Sequence, residues 1–275
     1  TVTEMKRPAT TGMRAAFLAM ACLLPATATA DAKGLEIAKK VDEANEGFGG
    51  EVSEMEMVLI NAYGDRTTRR MTSTVLEVLG DGDKSKIEFL WPADVKGTRM
   101  LTWAHKRDDD DQWLYLPAIK RTKRISSSNK SGSFMGSEFS YEDLGSQEVE
   151  KFTHTFLEDT TLGDREVWKM KRVPADARSG YARQLLWIDK QYMNPLKIEY
   201  YDRKNELLKT SALSGYERFD RLWRVGKIAM VNHQTKKRSE LVWKSRSLHV
   251  ELDEADFDGA GLGVSASVVA SVRRA

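Results

Sequence analysis

From Glu54 onward the chain alternates apolar and polar side chains at period two, and turn residues separate one alternating run from the next. Met55, Met57 and Leu59 alternate with Glu54, Glu56 and Val58. Asn61–Asp65 then reads as a hairpin turn, and Arg69–Leu79 returns as a strand. After a turn at Gly80–Asp83, Ile87, Phe89 and Trp91 alternate with Lys86 and Glu88 until Pro92 stops the run. Period two is the mark of a strand with one buried face. Similar runs follow at 98–104, 112–116, 154–158, 166–173, 182–189, 196–201, 207–216, 223–231 and 238–248. The expectation is about eleven strands joined by short turns, with no strand–helix–strand rhythm and hence no parallel sheet. One helix stands before them, over Leu35–Phe48, where Ile37, Val41, Ala44 and Phe48 share a face and Gly47, Gly49 and Gly50 end it. So little helix cannot cover so much sheet, and the sheet must curl on itself. The predicted fold is mainly β (α+β): an antiparallel, incompletely closed β-barrel with helices lidding an apolar cavity.

The N-terminus adds a compartment. Lys6, Arg7 and Arg14 precede the apolar run Ala15–Leu24, which Pro25 and the small residues Ala26–Ala30 follow. These are the three parts of a secretory signal, so residues 1–30 are expected to be a signal peptide cleaved before Asp31, for export to the periplasm. Residues 31–258 are then one domain. The glycine-, serine- and valine-rich stretch 259–275 is expected to be a disordered tail outside the fold. Met5 and Met13 are both candidate first residues. Without the signal the chain carries forty acids and forty bases, which leaves no excess positive charge to hold nucleic acid. Its one cysteine, Cys22, goes with the signal, so no disulfide supports the fold.

Residues 117–145 break the alternation. Lys120, Arg121, Lys123 and Arg124 are followed by six serines within Ser126–Ser137, and then by Phe134, Met135, Phe139 and Tyr141. A stretch this long inside a compact domain is either a functional element or a solvated loop. The run Trp113–Leu144 resembles the signature stretch of the outer membrane lipoprotein-sorting protein family, a periplasmic branch of the LolA/LolB-like lipoprotein carrier and receptor superfamily. Leu186–Asp189, Pro195–Asp202, Leu207–Thr210 and Met230–Asn232 resemble it in the same order, so the likeness spans roughly residues 34–258. The resemblance implies a half-barrel of eleven strands with helical lid elements and a cavity for acyl chains. It also implies association with inner-membrane transporters of the resistance-nodulation-division (RND) class.

On that basis the expected apolar lining is Met55, Met57, Phe89, Trp91, Met100, Trp113, Tyr115 and Trp187, with Phe134, Met135 and Phe139 as plugs on the loop. Methionines and aromatics suit a pocket that must both take up and release its cargo. Alternation alone does not separate a cavity wall from a dry core. Lys120, Arg121, Lys123 and Arg124 are candidates to meet an anionic headgroup or the acidic surface of a transporter, or are simply solvated. No catalytic, metal or cofactor role is expected. His105, His154, His233 and His249 lack metal-ligand spacing, Asp108–Asp111 lacks the donor pattern of a calcium loop, and no serine sits in a nucleophile elbow. The expected function is a monomeric periplasmic lipid or lipoprotein carrier in outer-membrane biogenesis. The alternative is a non-catalytic accessory subunit that docks on an RND-type exporter.

Overall fold

A computed structural model describes residues 26–263. Most of the expected signal segment, through residue 25, and the tail from 264 onward lie outside the described residues.

A single α-helix, α1 (Ala26–Asn45), opens the described chain. Its buried residues Ile37 and Ala38 face the sheet, and Gly34 makes the close approach possible. A Cβ at position 34 would stand 2.6 Å from the carbonyl oxygen of His154, so only glycine lets the helix lie this near a strand. The helix ends where Gly47 takes a φ of +87°. Arg221 donates to the carbonyl of Ala44 at 3.3 Å and Arg224 to that of Asn45 at 3.2 Å, placing cations on the negative end of the helix.

Fifteen strands follow among the described residues. The first six are β1 (Gly50–Ile60), β2 (Arg66–Leu76), β3 (Lys84–Trp91), β4 (Arg99–Trp103), β5 (Asp111–Leu116) and β6 (Arg121–Ile125). After the 126–151 segment come β7 (Phe152–Leu162), β8 (Arg165–Pro174), β9 (Tyr181–Asp189), β10 (Asn194–Asp202) and β11 (Leu207–Ser214). The short β12 (Glu217–Phe219) and β13 (Leu222–Arg224) pair only with each other, and β14 (Lys227–Asn232) and β15 (Arg238–Leu248) complete the set.

Thirteen of these strands make one antiparallel sheet in the order β6-β5-β4-β3-β2-β1-β15-β14-β11-β10-β9-β8-β7. The sheet is therefore larger than the expected eleven strands, and it is open, with β6 and β7 as its edges. β6 is the strand that the sequence hides, because its basic residues do not alternate with apolar ones. A charged edge of this kind discourages another strand from adding to it.

The sheet is strongly curled. β5 and β9 are nine strand spacings apart, about 43 Å if the sheet were flat. Yet Gln112 on β5 donates to Tyr141 O at 3.1 Å, while Tyr181 on β9 donates to the carboxylate of Asp143, two residues further on, at 2.7 Å. The trough so formed is covered by α1 on the β7 side and by residues 126–151, here called the flap.

The outer face carries a smaller core. Leu101, Phe257 and Leu262 are buried there, and a C-terminal strap crosses β3 to β5. Trp103 Nε1 donates to Phe257 O at 2.7 Å and Arg99 Nη1 to Leu262 O at 3.0 Å, so packing continues past the expected domain boundary at 258.

Candidate functional site

The tip of the flap is a tight hairpin. Met135 and Gly136 both take positive φ (51° and 75°), and Ser137 N donates to Phe134 O at 2.9 Å, the geometry of a type I′ turn. Phe134 N in turn donates to Phe139 O at 2.8 Å. The turn holds both phenylalanines against the sheet, where Phe134 is fully buried and Phe139 nearly so. The serines of the segment serve its backbone: Ser137 Oγ donates to Phe134 O at 2.7 Å and Ser133 Oγ to Ser137 O at 2.6 Å.

The two phenylalanines enter a bed of Met55 and Met57 (β1), Met71 (β2), Phe89 (β3) and Met100 (β4). The Phe134 ring lies 5.8 Å from Phe89 and meets Tyr141 edge-on at 5.7 Å. Met135 packs against the same cluster from its margin. Seven of the eleven sequence-predicted apolar site residues thus come together. The apolar part of the trough is filled by the flap's own rings rather than standing open.

Four do not join them. Met100 faces Leu114 across the β4–β5 ladder, whereas Leu101 faces Trp113. Trp113 and Tyr115 therefore belong to the opposite face, where they pack under the strap with Leu101 and Phe257. Both parities of β5 are apolar, and the sequence reading chose the outer one. On β9, Leu186 and Ile188 point inward, and Trp187 lies outside between Lys197 (4.3 Å from its ring) and Lys169 (5.5 Å). Trp91 has the parity of Phe89, but the register shifts between them: Met71 faces Phe89 while Arg70 faces Trp91. The extra residue, Leu90, turns Trp91 outward beneath the Arg70 guanidinium, and it is 46% exposed.

Polar bonds fix the flap to strands that the apolar reading passes over. Arg69 Nη1 (β2) donates to Met135 O at 2.6 Å, and the Ser239 hydroxyl (β15) accepts from Glu138 N at 3.0 Å. Asn232 Nδ2 (β14) donates to Glu138 Oε2 at 2.7 Å. Lys209 Nζ (β11) reaches Asp143 Oδ2 at 2.6 Å and Glu138 O at 2.9 Å. That ion pair is deep, with both side chains 5% exposed. Glu142 accepts from Ser179 Oγ at 2.7 Å and Gly180 N at 2.8 Å, and burial raises its pKa. Arg172 (β8), buried, donates to Gln184 Oε1 at 2.6 Å and Gln147 Oε1 at 2.8 Å; burial lowers its pKa to about 10.

The basic run stays outside. Arg121, Lys123 and Arg124 lie on the edge strand β6 and Lys120 precedes it, all exposed. Arg124 pairs with Asp111; the other three make no ion pair among the described residues. The neighbouring acids are also spoken for: Asp109 meets Arg178 at 2.7 Å and Asp110 pairs with Lys151.

At the foot of the flap a cleft of about 370 Å³ separates the end of α1 from residues 77–83 and 146–148. Six carboxylates line it: Asp42, Glu46, Glu77, Asp81, Asp83 and Glu148. Burial pushes Asp83 up to about 7, only partly offset by the hydrogen bond from Val78 N at 3.1 Å, and it also raises Asp42 and Glu148; Glu77 faces them.

This fold recurs in known structures. The crystal structure of an outer membrane lipoprotein-sorting protein domain from Vibrio parahaemolyticus superimposes with a TM-score of 0.83 at 47% identity, over 85% of this chain and 99% of that one. The chain belongs to the outer membrane lipoprotein-sorting protein family. A DUF1329 family protein from Desulfovibrio piger matches with a TM-score of 0.81 at 28% identity, over 85% of this chain and 99% of its own. A LolA superfamily protein from Nitrosomonas europaea shares the fold, with a TM-score of 0.66 at 18% identity over 82% of this chain and 97% of its own. A family model described as "Uncharacterized protein" covers residues 81–263. No curated protein sequence matches.

Proposed function

We propose that this member of the lipoprotein-sorting family is a periplasmic, non-catalytic carrier. It would shelter the acyl chains of a lipid or lipoprotein in the trough now filled by the flap. The observation that carries the reading is the seating of Phe134 and Phe139: two apolar rings from a separate segment occupy the bed that the sheet's methionines form. Acyl chains entering that bed would exchange places with the rings.

The magnitudes favour such an exchange. A sixteen-carbon chain gains about 10 kcal/mol on leaving water, whereas two buried phenylalanines contribute about 3–6 kcal/mol. The flap's polar bonds, each worth about 1 kcal/mol net, narrow the gap further. A near balance suits a carrier, which must also let go. The methionine side chains can repack around chains of different shape. Native mass spectrometry of protein purified from periplasm should find acylated adducts. Protein that remains free of them, even with a photo-crosslinker in place of Phe134, would contradict the reading.

The exposed cations favour a second role alongside the first. Lys120, Arg121 and Lys123 stand unpaired at an open sheet edge, a surface suited to an acidic face of an RND-class transporter. Reversing the charges from Lys120 to Arg124 should abolish co-purification with such a transporter while leaving lipid uptake intact. Unchanged co-purification would remove this role from the patch.

A further inference from the structure

Opposite the methionine bed the sheet carries a row of buried polar side chains, one per strand. Arg172 faces Gln184 across β8–β9, Gln184 faces Tyr200 across β9–β10, Tyr200 faces Lys209 across β10–β11, and Lys209 faces Asn232 across β11–β14. All five are nine-tenths buried or more. Two of them are cations, and buried cations are ordinarily paired with acids. The sheet provides neither with one. The ion-pair partner of Lys209 is Asp143 from the flap, and Arg172 has no acid in contact: it meets the neutral amides of Gln184 and Gln147 and lies 4.2 Å over the Phe152 ring.

Two residues along the same strands the row changes character. Met170, Leu186, Ile198 and Met230 lie side by side, with Ser211 between the last two. The rows are about 7 Å apart, the length of two strand residues. A doubly cationic line therefore borders an apolar one. The flap matches both, with carboxylates on Glu138 and Asp143 over the polar row and phenyl rings in the apolar bed. A cleft of about 370 Å³, lined by Tyr181, Arg203 and Glu142, reaches the row at Lys209.

We propose that Lys209 forms a headgroup subsite for the phosphate or carboxylate of an anionic amphiphile, with Arg172, three strands along the row, adding to the positive field there, and that Asp143 of the flap occupies the place of that anion in this structure. The proposal deepens the carrier reading and rests on it. It names the class of cargo: apolar chains ending in a negatively charged head. Displacing the flap without supplying an anion would leave Lys209 buried without its counter-charge, so a neutral lipid should be taken up poorly.

The test uses the mature protein and two probes that share one chain, dodecyl phosphate and dodecanol, with inorganic phosphate as a third ligand. Dodecyl phosphate should bind about tenfold more tightly than dodecanol, as expected when a charge-assisted hydrogen bond is gained. Lys209→Met combined with Asp143→Leu, which removes both charges together, should bring the two affinities within about twofold. Asp143→Asn keeps Lys209 but weakens the stand-in, and should raise affinity for dodecyl phosphate several-fold. Inorganic phosphate alone should leave the flap's amides protected from exchange. Equal binding of both probes by the native protein, or a preference that survives the double variant, would overturn the headgroup subsite and leave the carrier reading standing. Release of the flap by inorganic phosphate would show a free-anion site instead. Failure of both amphiphiles to bind would defeat the carrier reading itself.

Discussion

Beneath one flap, the half of the sheet from β1 to β5 offers Met57, Met71, Phe89 and Met100, while the half from β8 to β14 offers Arg172, Gln184, Tyr200, Lys209 and Asn232. The first half holds the flap chiefly by excluding water, with Arg69 and Gln112 adding bonds to its backbone. The second holds it through bonds whose loss leaves buried groups unsatisfied, and so it discriminates. A surface built wholly in the first manner would bind grease without preference. On the proposed carrier reading, joining the two in one trough would couple capacity for chains to recognition of what they are attached to.

The sharpest way to break this comparison is to disturb the polar half. Lys209→Met leaves Asp143 buried without its cation and should destabilise the protein by about 4 kcal/mol in denaturant titration. Adding Asp143→Leu should restore stability to within about 1 kcal/mol of the native protein, because the pair rather than either charge is what the site tolerates. An equal loss in both variants would mean that Lys209 acts through packing alone. In the apolar half, Phe134→Ala should cost about 3 kcal/mol. No second substitution among the methionines should rescue it as the leucine does, since it leaves a void rather than an unpaired charge.

The acidic cleft at the foot of the flap tests a third region. Asp83 keeps its proton in the folded protein to about pH 7, whereas in the unfolded chain it loses it near 3.8. The folded state binds the extra proton between those values, so stability falls as pH rises through that window. Asp83→Asn should flatten this dependence and add about 2 kcal/mol at pH 8, relative to the native protein. Melts at pH 5 and pH 8 that shift alike in the variant and the native protein would contradict it. The smallest effect belongs to the exposed edge, where charge reversal at Lys120, Arg121 and Lys123 should change stability by less than about 0.5 kcal/mol.

Alternation made the antiparallel sheet and most of the methionine bed legible, because Met55, Met57 and Phe89 stand at positions whose other parity is mostly polar. It misled at β5, where Trp113 and Leu114 are equally apolar, and at Trp187, whose flanking lysines stack on it from neighbouring strands rather than from its own. Trp91 was lost to a one-residue bulge that period-two counting does not register. The polar half was invisible for a related reason. An inward Lys209 between Leu208 and Thr210 reads like an outward one, and what marks it as buried is the carboxylate of Asp143, 66 residues away. A short burst of polar residues on the wrong parity of an otherwise regular strand is the signal that could have pointed to it.

Amide hydrogen exchange of the flap, with and without saturating dodecyl phosphate, tests the central claim most directly. The amides of Phe134, Ser137 and Glu138 are bonded to Phe139 O, Phe134 O and Ser239 Oγ. Exchange at these three positions should accelerate at least about tenfold on binding, while the β1–β15 ladder keeps its protection. Stoichiometric ligand with the flap amides still fully protected would mean that Phe134 and Phe139 do not vacate the trough and that cargo, if carried, travels elsewhere.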